Sequence, residues 1–213
     1  MSGIRSTFFE ISPLVNEGIG VWPGDVAFSR QVALDMSKGD HLTLSAVTST
    51  VHLGAHADAP SHYRKDGEPI HLRNPLLYYG DCQVIQVQVP RGERLLPSHL
   101  PQGFSPVAER LLIGTGSFPD PQKFNEDFNS LSPDLIEYLA EREVSLVGID
   151  TPSVDPFLSK ALESHQALAK HDLAVLEGLV LRQVPEGVYT LIALPLRIEG
   201  ADASPVRAIL VKD

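Results

Sequence analysis

The apolar residues of this chain are gathered into short runs, too short for long helices and punctuated by turn formers. TFFEI, VAFSRQVAL, LTLSAVTSTV, QVIQVQV, RLLIGTG, SLVGID, LAVLEGL, VYTLIAL and VRAILV either alternate apolar with polar residues or stay apolar, the two patterns of strands. Between them lie the turn signals Pro23-Gly24-Asp25, Lys38-Gly39-Asp40, Arg91-Gly92-Glu93, Pro185-Glu186-Gly187 and Asp202-Ala203-Ser204-Pro205. Two stretches read as helices. One opens with Ser132 as N-cap and Pro133 at the first helical position, and sets Leu135, Ile136 and Leu139 on one face. The other runs from about Ser159 to His171, with Ala161, Leu162, His165, Leu168 and Ala169 as its stripe, so that a histidine lies on the apolar face. Many strands with few helices predict an α/β or α+β chain whose sheets are mostly covered on one side.

With 213 residues, 43% of them hydrophobic, the chain is expected to bury one core as a single domain spanning residues 1–213. A formal net charge of −10 argues against a nucleic-acid partner, which clustered Lys and Arg would be needed to hold. The single cysteine, Cys82, cannot form an internal disulfide or a thiolate metal cluster, so any metal must be held by nitrogen and oxygen. The opening MSGIRSTFFEIS lacks an apolar core, and no window approaches the roughly 18 apolar residues of a membrane span. A cytoplasmic protein without a membrane partner is expected.

The densest chemistry lies in HLGAHADAPSHY, residues 52 to 63. Gly54 between the first two histidines and Pro60 soon after oppose a helix, so this is not two ligands on one helical face. In extended chain, positions 52, 54, 56, 58 and 62 share a parity and point to one side. A straight strand at about 3.3 Å per residue would still hold His52 and His56 roughly 13 Å apart, whereas ligands of one zinc ion sit about 2.0–2.1 Å from it. The chain must therefore bend, and Gly54 and Pro60 permit it. Three histidines and an aspartate so close together mark a metal or catalytic site. His41, His71 and His99 lack such company and read as ordinary histidines.

The run His52-x-Gly54-x-His56-x-Asp58-x-Pro60-x-His62 resembles the signature of the cyclase family of metal-dependent hydrolases. Further matches reach from about residue 7 to residue 210: Trp22-Pro23-Gly24-Asp25, Gly148-Ile149-Asp150-Thr151-Pro152-Ser153 with Asp155-Pro156, Leu176-Glu177-Gly178, and Ala193-Leu194-Pro195-Leu196 leading to Asp202-Ala203-Ser204-Pro205-Val206-Arg207. These narrow the resemblance to the formamidase branch. It implies an α/β domain of the swivelling β/β/α type with a mixed sheet, a homodimer, and two Zn2+ per subunit, with Mn2+ or Co2+ as substitutes. By position, the resemblance implies that His52, His56 and Asp58 bind the first metal and His165 the second. It implies that Asp58 and Glu177 bridge both, that Trp22 contacts substrate, and that His62 is the acid/base residue. The implied reaction is hydrolysis of N-formyl-L-kynurenine to L-kynurenine and formate, a step of tryptophan degradation, with a metal-bound hydroxide as nucleophile. One departure is Ala55, where the superfamily commonly has threonine, which removes a hydroxyl that could tune the ligands.

The residues make chemical sense of these roles. Imidazole and carboxylate suit zinc, and two carboxylates offset half the charge of two dications. His165 alone on an apolar helix face reads as a packed histidine, and Glu177 interrupting LAVLEGLVL reads as a costly buried charge. Each oddity relieves the other if both meet a metal. Trp22 before proline reads equally as core packing or as a surface for an aromatic ring. Asp25 and Tyr63 have no assigned role. Two rival readings are a cyclic amide or lactone hydrolase of the same superfamily, similar to isatin hydrolase, and a non-catalytic binding protein stabilised by metal.

Overall fold

In the computed structural model, which describes residues 7–212, four of the apolar runs lie side by side as parallel strands. In chain order the strands are β1 (Thr7–Glu10), β2 (Ser29–Leu34), β3 (Leu44–Thr48), β4 (His56–Asp58), β5 (Tyr79–Gln86), β6 (Arg94–Leu95), β7 (Arg110–Gly114), β8 (Ser130–Leu131), β9 (Leu146–Ile149), β10 (Ala174–Glu177), β11 (Gly187–Ile192), β12 (Ala203–Pro205) and β13 (Ile209–Lys212). The α-helices are α1 (Pro60–Tyr63), α2 (Pro133–Ala140) and α3 (Glu163–His171). Among the described residues one nine-stranded sheet runs β1-β13-β11-β5-β7-β9-β10-β4-β12. Its centre, β5-β7-β9-β10, is parallel and its flanks are antiparallel, so the mixed sheet is as expected. The opening residues Met1–Ser6, part of the leader-free reading and of the 1–213 span, lie outside the described residues, as does Asp213.

The central strands correct one expectation. Leu111, Ile113, Val147, Ile149 and Val175 face a core shared with α2 and α3, while Leu112, Leu146, Ala174 and Leu176 face a second core on the opposite side. The sheet is thus buried on both faces at its centre, which is why these runs are apolar throughout rather than alternating. The second core is enclosed because the sheet curls. Ile11, just past β1, donates its N–H to Ala208 O at 3.0 Å and accepts from Val180 N at 2.8 Å, drawing the β1 edge toward the segment that follows β10. Among the described residues two pairs stand apart from this sheet, the antiparallel hairpin of β2 and β3 and the short parallel pair of β6 and β8.

Helix α2 begins where the sequence places it, the Ser132 hydroxyl accepting from Leu135 N at 3.0 Å. Helix α3 starts at Glu163 rather than near Ser159, because Leu162 adopts a left-handed conformation (φ 50°) and the Asp155 carboxylate, not Ser159, receives the first helical N–H groups. Asp202-Ala203-Ser204-Pro205, which reads as a turn, leads instead into edge strand β12 paired with β4. An edge is where a strand tolerates proline. Among the described residues no helix is long and apolar enough to cross a membrane.

Candidate metal centre

The chain bends at Gly54, whose φ of 55° is left-handed, and the His52 and His56 rings come to 5.1 Å between centroids instead of the straight-strand separation. A Cβ at Gly54 would press on Pro13 Cγ at 2.9 Å, so the tight fold of this segment also needs the missing side chain. Of the expected same-side positions, His56 and Asp58 lie in β4 and keep the strand alternation. His62 sits beyond it on the single turn α1, with Pro60 at its first position. Strand β10 pairs with β4 in the register Glu177↔His56, which carries the glutamate to the same place. Gly178 follows with φ 66°, and any side chain there would collide with the Gly54 carbonyl. Helix α3 brings His165 from the far side of the core.

Five ligand-type side chains meet as two sets that share their carboxylates. His52 Nδ1 lies 2.9 Å from Asp58 Oδ1, and His56 Nε2 lies 3.4 Å from both Asp58 Oδ1 and Glu177 Oε2. On the other side His165 Nε2 lies 3.3 Å from Asp58 Oδ2 and 3.4 Å from Glu177 Oε1. Donors held about 2.0–2.2 Å from a tetrahedral ion are about 3.3–3.6 Å from one another. His56 Nε2 and Asp58 Oδ1 are buried without a hydrogen-bond partner, an expense that proteins rarely leave unrelieved. These atoms aim at a common point rather than at each other. The donor set, nitrogen and carboxylate oxygen without thiolate, fits a divalent cation such as zinc.

Each imidazole is oriented by a group behind it. His56 Nδ1–H donates to the Gly54 carbonyl at 2.9 Å, His165 Nδ1–H to Asp155 Oδ2 at 2.8 Å, and His52 Nε2–H to Asp202 Oδ2 at 3.0 Å. In every case the opposite nitrogen is left with its lone pair toward the shared carboxylates, the arrangement that metal-binding histidines adopt. Glu177 Oε1 also accepts Val154 N–H at 2.7 Å. Asp155 in turn receives Ser164 N, His165 N and Arg94 Nη2, which explains its place at the start of α3.

The electrostatics suit a cation. Burial raises the Asp58 pKa, but the His165 and His52 imidazoles beside it outweigh that and hold the carboxyl well below its ordinary range. Glu177 is lowered as well, burial and the Asp58 charge being outweighed by His165 and His56. Burial works against charge on His52, yet the Asp58 and Asp202 carboxylates raise its pKa to about 9. His165 is raised well above its ordinary value for the same reason, burial yielding to Asp155, Asp58 and Glu177. Burial of Asp155 is outweighed by hydrogen bonds from His165 and from backbone N–H groups, which lower it to about 2. The raised pKa values of His52 and His165 offset the charge of the carboxylates, and a bound cation would take the place of those protons.

The centre opens into a cavity of about 460 Å³ whose walls include His52, His56, His62, His165 and Glu177. Its apolar wall carries Trp22, Phe118 and Phe124. Trp22 packs at 5.6 Å from Phe124 and 5.0 Å from Phe157, so it is at once part of an aromatic cluster and a cavity surface. Asp25, exposed, is on the rim, and the Tyr63 ring leans on His165 at 5.0 Å. His71 and His99 accept ordinary hydrogen bonds from Gly200 N and Leu96 N, away from the centre. Sequence reasoning gave no role to Asp155 or Asp202. Both stand in the quoted motifs, but nothing in their spacing shows which histidine they meet.

Comparison with known proteins places the same features in context. Residues 9–156 match the family model Cyclase, described as "Putative cyclase". Over 202 residues the chain is 42% identical to the kynurenine formamidase of Bordetella pertussis, covering 95% of this chain and 96% of that one. Among solved structures it is similar to a "predicted metal-dependent hydrolase" from Bacillus stearothermophilus, with TM-score 0.82, 25% identity and coverage of 98% and 99%. Isatin hydrolase A from Ralstonia solanacearum shares the fold, with TM-score 0.81, 19% identity and coverage of 98% and 92%.

Proposed function

This chain belongs to the Cyclase family, and from that premise we propose that it is a metal-dependent hydrolase of N-formyl-L-kynurenine, releasing L-kynurenine and formate in tryptophan degradation. The observation that carries the reading is the convergence of His52, His56, Asp58, His165 and Glu177 on two points that share both carboxylates, at the mouth of an aromatic-walled cavity. His52, His56 and Asp58 would hold one cation, and His165 the other, with Asp58 and Glu177 contributing an oxygen to each. Bound there, two zinc ions, or manganese or cobalt in their place, supply Lewis acidity and lower the pKa of a coordinated water from 15.7 to about 7.

The rest is the work of side chains. Trp22 offers its face to the aryl ring of the substrate, which turns the formyl group toward the carboxylate-bridged centre. His62, outside both ligand sets and on the cavity wall, takes the proton of the attacking water on Nε2 and delivers it to the departing aniline nitrogen. The buried surroundings of Glu177 and His165 exclude bulk water behind the reacting carbonyl.

We place the enzyme in the cytoplasm as a single domain, in keeping with its one buried cysteine. We also propose a homodimer, since the hairpin of β2 and β3 leaves Val32, Leu44 and Val47 exposed, a surface that a second copy would cover. The test of function is an assay of metal-reconstituted protein that follows N-formylkynurenine absorbance and formate release, with a chelator control. Formate released only by the metal-loaded protein supports the reading. No release, or faster opening of a cyclic amide such as isatin, overturns it.

A further inference from the structure

We propose that Asp202 is a positioning residue whose single carboxylate oxygen fixes both a metal ligand, His52, and the proton carrier, His62. Its Oδ2 lies 3.0 Å from His52 Nε2 and 3.2 Å from His62 Nδ1, and the two rings it joins are 4.2 Å apart between centroids. The inference rests on the metal and proton-transfer roles proposed above.

A neutral imidazole has one N–H and one lone pair, and a carboxylate, which only accepts, decides which nitrogen carries the hydrogen. For His52, donation from Nε2 leaves the lone pair on Nδ1, the nitrogen 2.9 Å from Asp58 Oδ1. For His62, donation from Nδ1 leaves the lone pair on Nε2, the edge of the ring away from Asp202 and free to meet substrate. One oxygen thus sets both tautomers in the sense each proposed role needs. It also couples them, because a movement of Asp202 shifts a ligand and the proton carrier together.

The backbone that carries this oxygen is anchored. The Asp202 carbonyl accepts Ala59 N–H at 2.8 Å, and β12, which begins at the next residue, pairs with β4 in the register Ala203↔Asp58. Asp202 is therefore anchored on the strand beside the one that carries His56 and Asp58. It is absent from the cavity wall that His52 and His62 help to form, so it acts through them and not on substrate.

A third cation among His52, His62 and Asp202 is the competing account, since their ligand atoms lie within 4.8 Å of one another. It would require His52 to give up both ring protons and bind metal at each nitrogen. The hydrogen bonds require nothing of that kind.

The test uses the full chain, zinc-loaded, with Asp202→Asn and Asp202→Ala. In both variants zinc affinity, read by chelator competition, is expected to weaken by about 10- to 100-fold, and kcat on N-formyl-L-kynurenine to fall by about the same factor with KM little changed. Ring 15N spectra at alkaline pH are expected to place the His62 proton on Nδ1 in the wild type, with that preference lost in Asp202→Asn. If the alanine variant fails to fold, the isosteric asparagine variant decides alone. Zinc affinity, kcat and His62 tautomer all unchanged in Asp202→Asn would overturn the proposal. So would a third zinc equivalent bound by the wild type and lost in that variant. Wild-type protein that binds no zinc or releases no formate defeats the reading of the site itself. A wild type that does both, beside an indistinguishable Asp202→Asn, defeats only the role of Asp202.

Discussion

His165 Nε2 stands 3.3 Å from Asp58 Oδ2, although 107 residues separate the two in the chain. Asp58 meets His52 with its other oxygen, so one carboxylate joins a segment near the first quarter of the chain to a helix in the last. The sharing of Asp58 and Glu177 between two ligand sets is what the proposed dinuclear centre requires.

That sharing makes the ligand variants unequal. His165→Ala is expected to lose one zinc equivalent and keep the other, because the donors around Asp58 Oδ1 remain. Asp58→Asn, which weakens both sets, is expected to lose both. Elemental analysis after dialysis measures this directly, and equal losses in the two variants would contradict it.

Replacing His62 separates proton transfer from metal binding. His62→Asn is expected to retain its zinc and lose about 10²- to 10⁴-fold in kcat, the usual worth of a general acid/base group. Unimpaired turnover in this variant would remove His62 from the reaction.

Metal removal should be felt in stability, since the proposed ions would bind only the folded arrangement of residues drawn from β4, α3 and β10. At free zinc near 100 times the dissociation constant the gain is about 2.7 kcal/mol, and for a chain of this size that corresponds to a rise in Tm of about 5–10 °C. Scanning calorimetry with and without chelator gives the shift. An unchanged Tm would mean that the cluster holds no ion in the native state.

Cys82 supplies a pH test remote from the centre. Burial pushes its thiol up from 9.0 to about 12, Arg110 offsetting only part of that. A folded pKa above the unfolded one means that the stabilising difference is fully present below pH 9 and is lost as pH rises toward 12. The wild type is therefore expected to lose roughly 1.4 kcal/mol per pH unit across that window relative to Cys82→Ala. Denaturant titrations of both proteins from pH 8.5 to about 11 check it, and parallel curves would contradict it.

Much of the architecture can be read from local pattern. The strands β7, β9 and β10 were visible as short, mostly apolar runs, though their burial on both faces was not, and α2 was visible because Ser132 and Pro133 mark its start. Strand β12 was not, since Asp, Ala, Ser and Pro favour turns and a three-residue edge strand is decided by its partner, β4. At the site, the bend at Gly54 followed from ligand distances alone. His165 and Glu177 could be noticed as polar residues in apolar runs, but their meeting depends on the pairing of β10 with β4 and on the docking of α3. The groups behind the histidines were the least legible. Asp155 and Asp202 lie in connections, where no periodicity indicates what a side chain faces.

The most direct measurement is anomalous diffraction at the zinc edge from crystals of the zinc-loaded protein. The expected map has two peaks in each chain, with Asp58 and Glu177 each giving one oxygen to either peak, His52 and His56 on the first and His165 on the second. A single peak, or two peaks with Glu177 or His165 turned away from both, would contradict the account.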